Sequence, residues 1–146
     1  MPIKESDRYK TAFNTKYGHF EWNSLCFGLC NAPATFVQGL NEIFSGNAYR
    51  IAEKNGHELI KDISETDLQK RKINLLDKYL TIYIDDIIIW SKTPEEHADH
   101  LAEVFRRLTD FDLLIQSPKS FFAMEKVEYL GHEVSRHGIR AMEDKA

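Results

Sequence analysis

A mixed α+β fold, with antiparallel hairpins packed on helices, is predicted by three observations. Short β-favouring stretches flank turn signals toward both ends of the chain, at Lys16-Tyr17-Gly18-His19 and at Arg136-His137-Gly138. Apolar residues recur at helical spacing in three segments between them. The apolar run Leu80 to Trp90, which otherwise reads as buried strand, is interrupted by two adjacent carboxylates, Asp85 and Asp86. With 146 residues, 42% of them hydrophobic, the chain can bury a core, and residues 1–146 read as one domain rather than a disordered segment.

Thr11, Phe13, Phe20 and Trp22 place a hairpin within residues 9–27. Asn31 is positioned to cap a helix with Pro33 in its first turn, and Phe36, Val37, Leu40, Ile43 and Phe44 extend it over about 32–45 until Ser45-Gly46-Asn47 stops it. Gly39 weakens that helix slightly. Residues 46–63, polar and holding Gly46 and Gly56, read as a surface excursion rather than core. Ser64 to Asp67 has the form of a capping box with Asp in the acidic place, and Ile63 and Leu68 are spaced as a hydrophobic staple. Leu68, Leu75, Leu76 and Tyr79 share an apolar face. A strand pair follows around Tyr83 to Trp90. Thr93-Pro94-Glu95-Glu96 then opens a helix to about Asp110, with His97, Leu101, Val104, Phe105 and Leu108 on its buried side. Short strands are expected at Phe121–Met124 and Val127–Leu130.

Several function classes lose ground at this level. A net charge of −4 offers no general basic footprint for nucleic acid, so such a surface is local or supplied by other sequence. Cys26 and Cys30 lack a second ligand pair and read as free thiols in a reducing compartment rather than a zinc site. No apolar run is long enough to span a bilayer, and the N-terminal residues do not form a signal peptide. The expectation is an intracellular chain, cytoplasmic or nuclear.

Two carboxylates inside an apolar run are costly to bury unpaired. Consecutive strand residues face opposite sides, so Asp85 and Asp86 serve one cation only where the backbone bends. A tight hairpin at Ile84-Asp85-Asp86-Ile87 supplies such a bend and presents the acids at its tip to a hard divalent ion. That arrangement suits two-metal phosphoryl transfer. A solvated Asp-Asp turn is the competing reading of the same residues. His97 and His100 stand three apart on a helix without a patterned acid or thiol, and no metal is assigned to them.

Tyr83-Ile84-Asp85-Asp86 resembles the catalytic box of reverse transcriptases. Cys26-Phe27-Gly28-Leu29-Cys30-Asn31-Ala32-Pro33-Ala34-Thr35-Phe36 resembles the Pro-Phe-Gly-Leu-x-Asn-Ala-Pro-x-Thr-Phe box of gypsy-type long-terminal-repeat retrotransposons, with Cys26 in place of Pro. Lys10 to Phe13, Tyr17 to Glu21, His97 with His100 and Leu101, and Tyr129 to Ser135 with Gly138 are similar in the same order. The resemblance implies a partial palm and fingers, an antiparallel sheet with packed helices, running into the palm-thumb connection.

It further implies that Asp85 and Asp86 are two of three catalytic, metal-binding aspartates taking Mg²⁺ or Mn²⁺, with Tyr83 near the primer terminus and templating pair. Phe27 and Gly28 would meet the incoming deoxynucleoside triphosphate, and Asn31 and Pro33 would start the helix beneath the template. Lys119 stands where the family places a basic residue that protonates or neutralises the departing pyrophosphate. Tyr129, Leu130, Gly131 and His132 correspond to the primer grip. The implied partners are an RNA or DNA template-primer and the remainder of a pol polyprotein, with no membrane.

Two departures qualify the resemblance. The box resembling Asp-Leu-x-Ser-Gly-Tyr-x-Gln-Ile, which carries the family's first aspartate, is not matched, and Glu5, Asp7 and Glu21 do not stand in its place. The isolated chain is therefore expected to be inactive, since phosphoryl transfer depends on positioning and electrostatics. A second expectation, of a different class, is a non-catalytic retroelement remnant that binds nucleic acid or protein. Residues 46–79 also exceed the family's usual connector by about 20 residues, an atypical insertion of the kind that loop-closure entropy tolerates.

Overall fold

The computed structural model describes residues 3–26 and 28–142. A short 3-10 turn at Glu5–Thr11 leads into the hairpin β1 (Phe13–Thr15) and β2 (Gly18–Phe20). Helix α1 (Ala32–Phe44) has Pro33 in its first turn and is followed by α2 (Asn47–Lys54) and α3 (Glu65–Arg71). The hairpin β3 (Leu80–Tyr83) and β4 (Asp86–Ile89) precedes α4 (Pro94–Asp110), and β5 (Lys126–Tyr129), β6 (His132–Ser135) and β7 (Gly138–Ala141) close the chain. The strands form three separate antiparallel sheets of two, two and three strands.

The core lies where α1, α4 and β3 meet. Leu40, Ile43, Phe44, Leu75, Leu80, Val104 and Leu108 form one buried cluster, with Ile82, Ile87 and Ile89 of the β3–β4 hairpin packed against it. Each such side chain stabilises the fold by roughly 1.5–3 kcal/mol through lost apolar exposure. Expected helix starts are met at α3 and α4. Ser64 Oγ accepts from the Asp67 N–H, and Thr93 Oγ1 accepts from the Glu96 N–H while the Glu96 carboxylate accepts from the Lys92 N–H at 2.7 Å. Asn31 occupies the cap position of α1, but its side chain makes no capping bond; only its carbonyl accepts, from the Thr35 N–H.

The segment 46–63 differs from the expected surface excursion. It carries α2, and Tyr49 is fully buried with Ala52 beside it. A polar network explains how so hydrophilic a stretch enters the interior. The Tyr49 hydroxyl donates to Asp110 at 2.8 Å, Arg71 donates to the same carboxylate and to Glu103, and Arg107 donates to Glu103. Arg107 has no exposed surface. Its guanidinium also donates to the carbonyls of Ile43, Phe44, Lys70 and Ile73, satisfying the C-terminal ends of α1 and α3 at once. Gly46 permits the turn between α1 and α2: its φ is +80°, and a Cβ there would stand 2.5 Å from the Lys72 carbonyl oxygen.

Phe121–Met124, expected as a strand, is irregular and exposed. No described strand lies alongside to take its backbone bonds, and Ala123 adopts φ +52°. Outside the core the molecule is open. Its accessible surface, 11302 Å², is about half as large again as the roughly 7,700 Å² a compact monomer of this mass exposes.

Candidate active site

The carboxylate hairpin is built by register. Leu80 pairs with Ile89 and Ile82 with Ile87, which sets four apolar side chains toward the core, while Tyr83 closes the turn opposite Asp86. The turn centre is thus Ile84-Asp85, one residue earlier than the expected Asp85-Asp86; the later register would set Leu80 opposite Ser91 and forfeit an apolar pair. Asp85 sits in the turn and Asp86 begins β4, both exposed. Ile84 holds φ +52° at the position where such hairpins favour glycine, a strained conformation for a β-branched residue.

Neither carboxylate makes a hydrogen bond or ion pair with another described residue. Two unpartnered hard oxygen donors suit Mg²⁺ or Mn²⁺. Among the described residues no third acidic, histidine or cysteine side chain joins them in a metal-holding group.

Two expected site residues converge on this hairpin. Tyr129, at the end of β5, lies close enough to Asp86 for its phenol to be held above the ordinary tyrosine range, by partial burial first and by the Asp86 charge and Tyr83 next. The turn that follows is tight: Tyr129 pairs with His132, and Leu130 and Gly131 both have positive φ, 52° and 75°, as a type I′ turn requires. The His132 imidazole bonds the Leu130 carbonyl through Nδ1 at 3.0 Å. On the other side, Pro33 and Tyr83 line one groove of about 550 Å³ between α1 and β3, with Ala34, Val37, Ile82 and Ile84.

Other expected residues stand apart. Gly28 has φ +94° with open space where a Cβ would be, so its backbone conformation, rather than crowding within this chain, calls for glycine. Asn31 is exposed at the start of α1. Lys119 ends an exposed 3-10 turn, and no described acid bonds its ammonium. Phe27 lies outside the described residues. Sequence reasoning missed Arg107, Tyr49 and Ser91. An arginine bordering the apolar stripe of α4 was the only available signal for the first.

Helices packed behind an antiparallel hairpin that presents paired carboxylates form a mixed α+β arrangement of the kind expected for a partial polymerase palm. The comparisons with known proteins agree. The family model for reverse transcriptase (RNA-dependent DNA polymerase) matches residues 1–134, and the chain belongs to that family. It is 35% identical over 140 residues to the retrovirus-related Pol polyprotein from transposon 297 of Drosophila melanogaster, covering 96% of this chain and 11% of that polyprotein. It is 29% identical over 143 residues to the Pol polyprotein from transposon gypsy of the same organism, covering 98% of the chain and again 11% of the relative. Among solved structures it is similar to the foamy viral protease-reverse transcriptase in complex with RNA/DNA hybrid, with a TM-score of 0.63, 22% identity, and coverage of 98% of this chain and 15% of that one. The chain therefore spans about a tenth of the length of the curated relatives it matches. No helix among the described residues is long and apolar enough to cross a membrane.

Proposed function

We propose that this chain is the part of an RNA-directed DNA polymerase that presents Asp85 and Asp86 as two ligands for Mg²⁺ or Mn²⁺, and that it needs a carboxylate from outside these residues to catalyse nucleotidyl transfer. The bound ions would lower the pKa of the primer hydroxyl and neutralise the leaving pyrophosphate. The chain's own residues do the positioning. The turn at Tyr129, Leu130, Gly131 and His132 aims the primer end toward Asp86. Tyr83 and Pro33, on one groove, lie under the templating pair together with Asn31. Gly28 admits the incoming deoxynucleoside triphosphate beside Phe27, and Lys119 neutralises or protonates the pyrophosphate.

The observation that carries this reading is the exposed pair Asp85 and Asp86 at the tip of the β3–β4 hairpin, which no described side chain bonds, in a chain that belongs to the reverse transcriptase family; the Asp86 charge felt at the Tyr129 phenol supports it. The oversized surface supports the need for further polypeptide, since hairpins this exposed are ordinarily covered within a larger domain. Primer extension tests it. The chain alone is expected to extend nothing, and addition of a polypeptide carrying the unmatched aspartate box is expected to yield extension that Asp85→Asn and Asp86→Asn each abolish. Extension by the chain alone that survives both substitutions contradicts the assignment.

A further inference from the structure

The base of the carboxylate hairpin is held by a cluster that the proposed chemistry does not use. Ser91, just beyond β4, places its Oγ 3.1 Å from Nδ1 of His97 and 2.7 Å from Nδ1 of His100. Nδ1 of His100 is also 3.3 Å from the Trp90 carbonyl oxygen. The His100 ring stacks on Tyr79 with centroids 3.5 Å apart and planes 2° from parallel, and the Tyr79 carbonyl accepts from the Trp90 N–H at 3.0 Å. The first two turns of α4 are thus tied to the residues before β3 and after β4.

Counting protons fixes the arrangement. A hydroxyl donates one hydrogen, so one of the two Nδ1 atoms must itself donate to Ser91. The Trp90 carbonyl accepts only, which selects His100 as the Nδ1–H donor, shared between Ser91 Oγ and that carbonyl. Ser91 then donates to the bare Nδ1 of His97, whose proton lies on Nε2.

We infer that Ser91, His97 and His100 form a tautomer-locked clamp that positions the Asp85-Asp86 hairpin on α4. Apolar packing under Ile82, Ile87 and Ile89 is non-directional and allows the hairpin to roll; hydrogen bonds at its base are directional and do not. The tip lies about 13 Å from that base at strand rise, so a small rotation below becomes a displacement of the carboxylates. The three are positioning residues. Their relevance to metal binding rests on the proposed function, whereas the clamp itself does not.

Long-range proton–nitrogen NMR of the imidazoles in the full chain, without metal or primer, tests the inference. His100 is expected as the Nδ1–H tautomer and His97 as Nε2–H. Ser91→Ala is expected to abolish that split and to shift the amide resonances of Ile84, Asp85 and Asp86 while leaving Val104 and Leu108 unmoved, and Ser91→Thr to restore both. Wild-type tautomers other than these overturn the inference even if Ser91→Ala does not fold. So does a folded Ser91→Ala that keeps the split or leaves the hairpin amides in place. Because neither readout involves metal or extension, failure here leaves the metal assignment standing, and failure of primer extension leaves the clamp standing.

Discussion

The helical body and the hairpin apparatus are held by opposite means. Around Arg107 every strong polar group is answered: one guanidinium satisfies four carbonyls and Glu103, and no described buried side-chain nitrogen or oxygen is left without a partner. At the tip of β3 and β4, two carboxylates stand exposed without a partner beside a strained Ile84. The first region is organised for its own stability. Under the proposed function the second presents its carboxylates to a divalent ion, and strain kept at such a tip is consistent with that use.

Substitutions can break this contrast, the largest effect lying in the body. Arg107→Met is expected to lower the unfolding free energy by about 3–5 kcal/mol, because two helix ends lose their buried partner and Glu103 is left with Arg71 as its one buried cation. A loss below about 1 kcal/mol in urea unfolding would place stability elsewhere. Gly46→Ala is expected to destabilise by about 2–3 kcal/mol, as the Cβ meets Lys72 backbone at a left-handed φ.

Tyr49→Phe, which removes the donor to Asp110, is expected to lose about 1–2 kcal/mol near neutral pH and to sharpen the comparison through pH. Burial first, then the bond to Asp110 and its charge, push the Tyr49 phenol well above its ordinary range. The folded state therefore holds that proton more tightly than the unfolded chain. The associated stability is fully present below about pH 10, the ordinary phenol value, and is lost as pH rises from there through the folded pKa. Urea unfolding across alkaline pH should show this decline in the wild type and a flatter profile in Tyr49→Phe.

The smallest effect is expected at the tip. Asp86→Asn should change stability by no more than about 0.5 kcal/mol, while spectrophotometric titration should show the Tyr129 phenol moving down from its raised value as the neighbouring charge disappears. A large stability loss would mean that the carboxylate serves the fold.

Where sequence and structure agree, local rules were sufficient. The caps at Ser64 and Thr93, the spans of α1 and α4, and the turns after Thr15 and Ser135 follow from capping, periodicity and glycine placement, each readable within a few residues. The misses need partners distant in sequence. Tyr49 looks like part of a polar loop until Asp110, 61 residues away, accepts its hydroxyl. Arg107 looks like a solvated helix residue until two helix ends arrive at it. Phe121–Met124 has strand composition but no neighbour to pair with. The candidate site was legible as residue types in order, whereas the convergence of Tyr129 on Asp86 and the Ser91 cluster are tertiary facts that spacing does not encode.

The central claim is that Asp85 and Asp86 form a divalent-metal site rather than a solvated turn, and Mn²⁺ titration followed by amide NMR line broadening tests it most directly. Selective broadening at Ile84, Asp85, Asp86 and Tyr129, competed by Mg²⁺ and lost in the Asp85→Asn, Asp86→Asn double variant, is the predicted result. Broadening spread over the acidic surface, and unchanged in that variant, would contradict it.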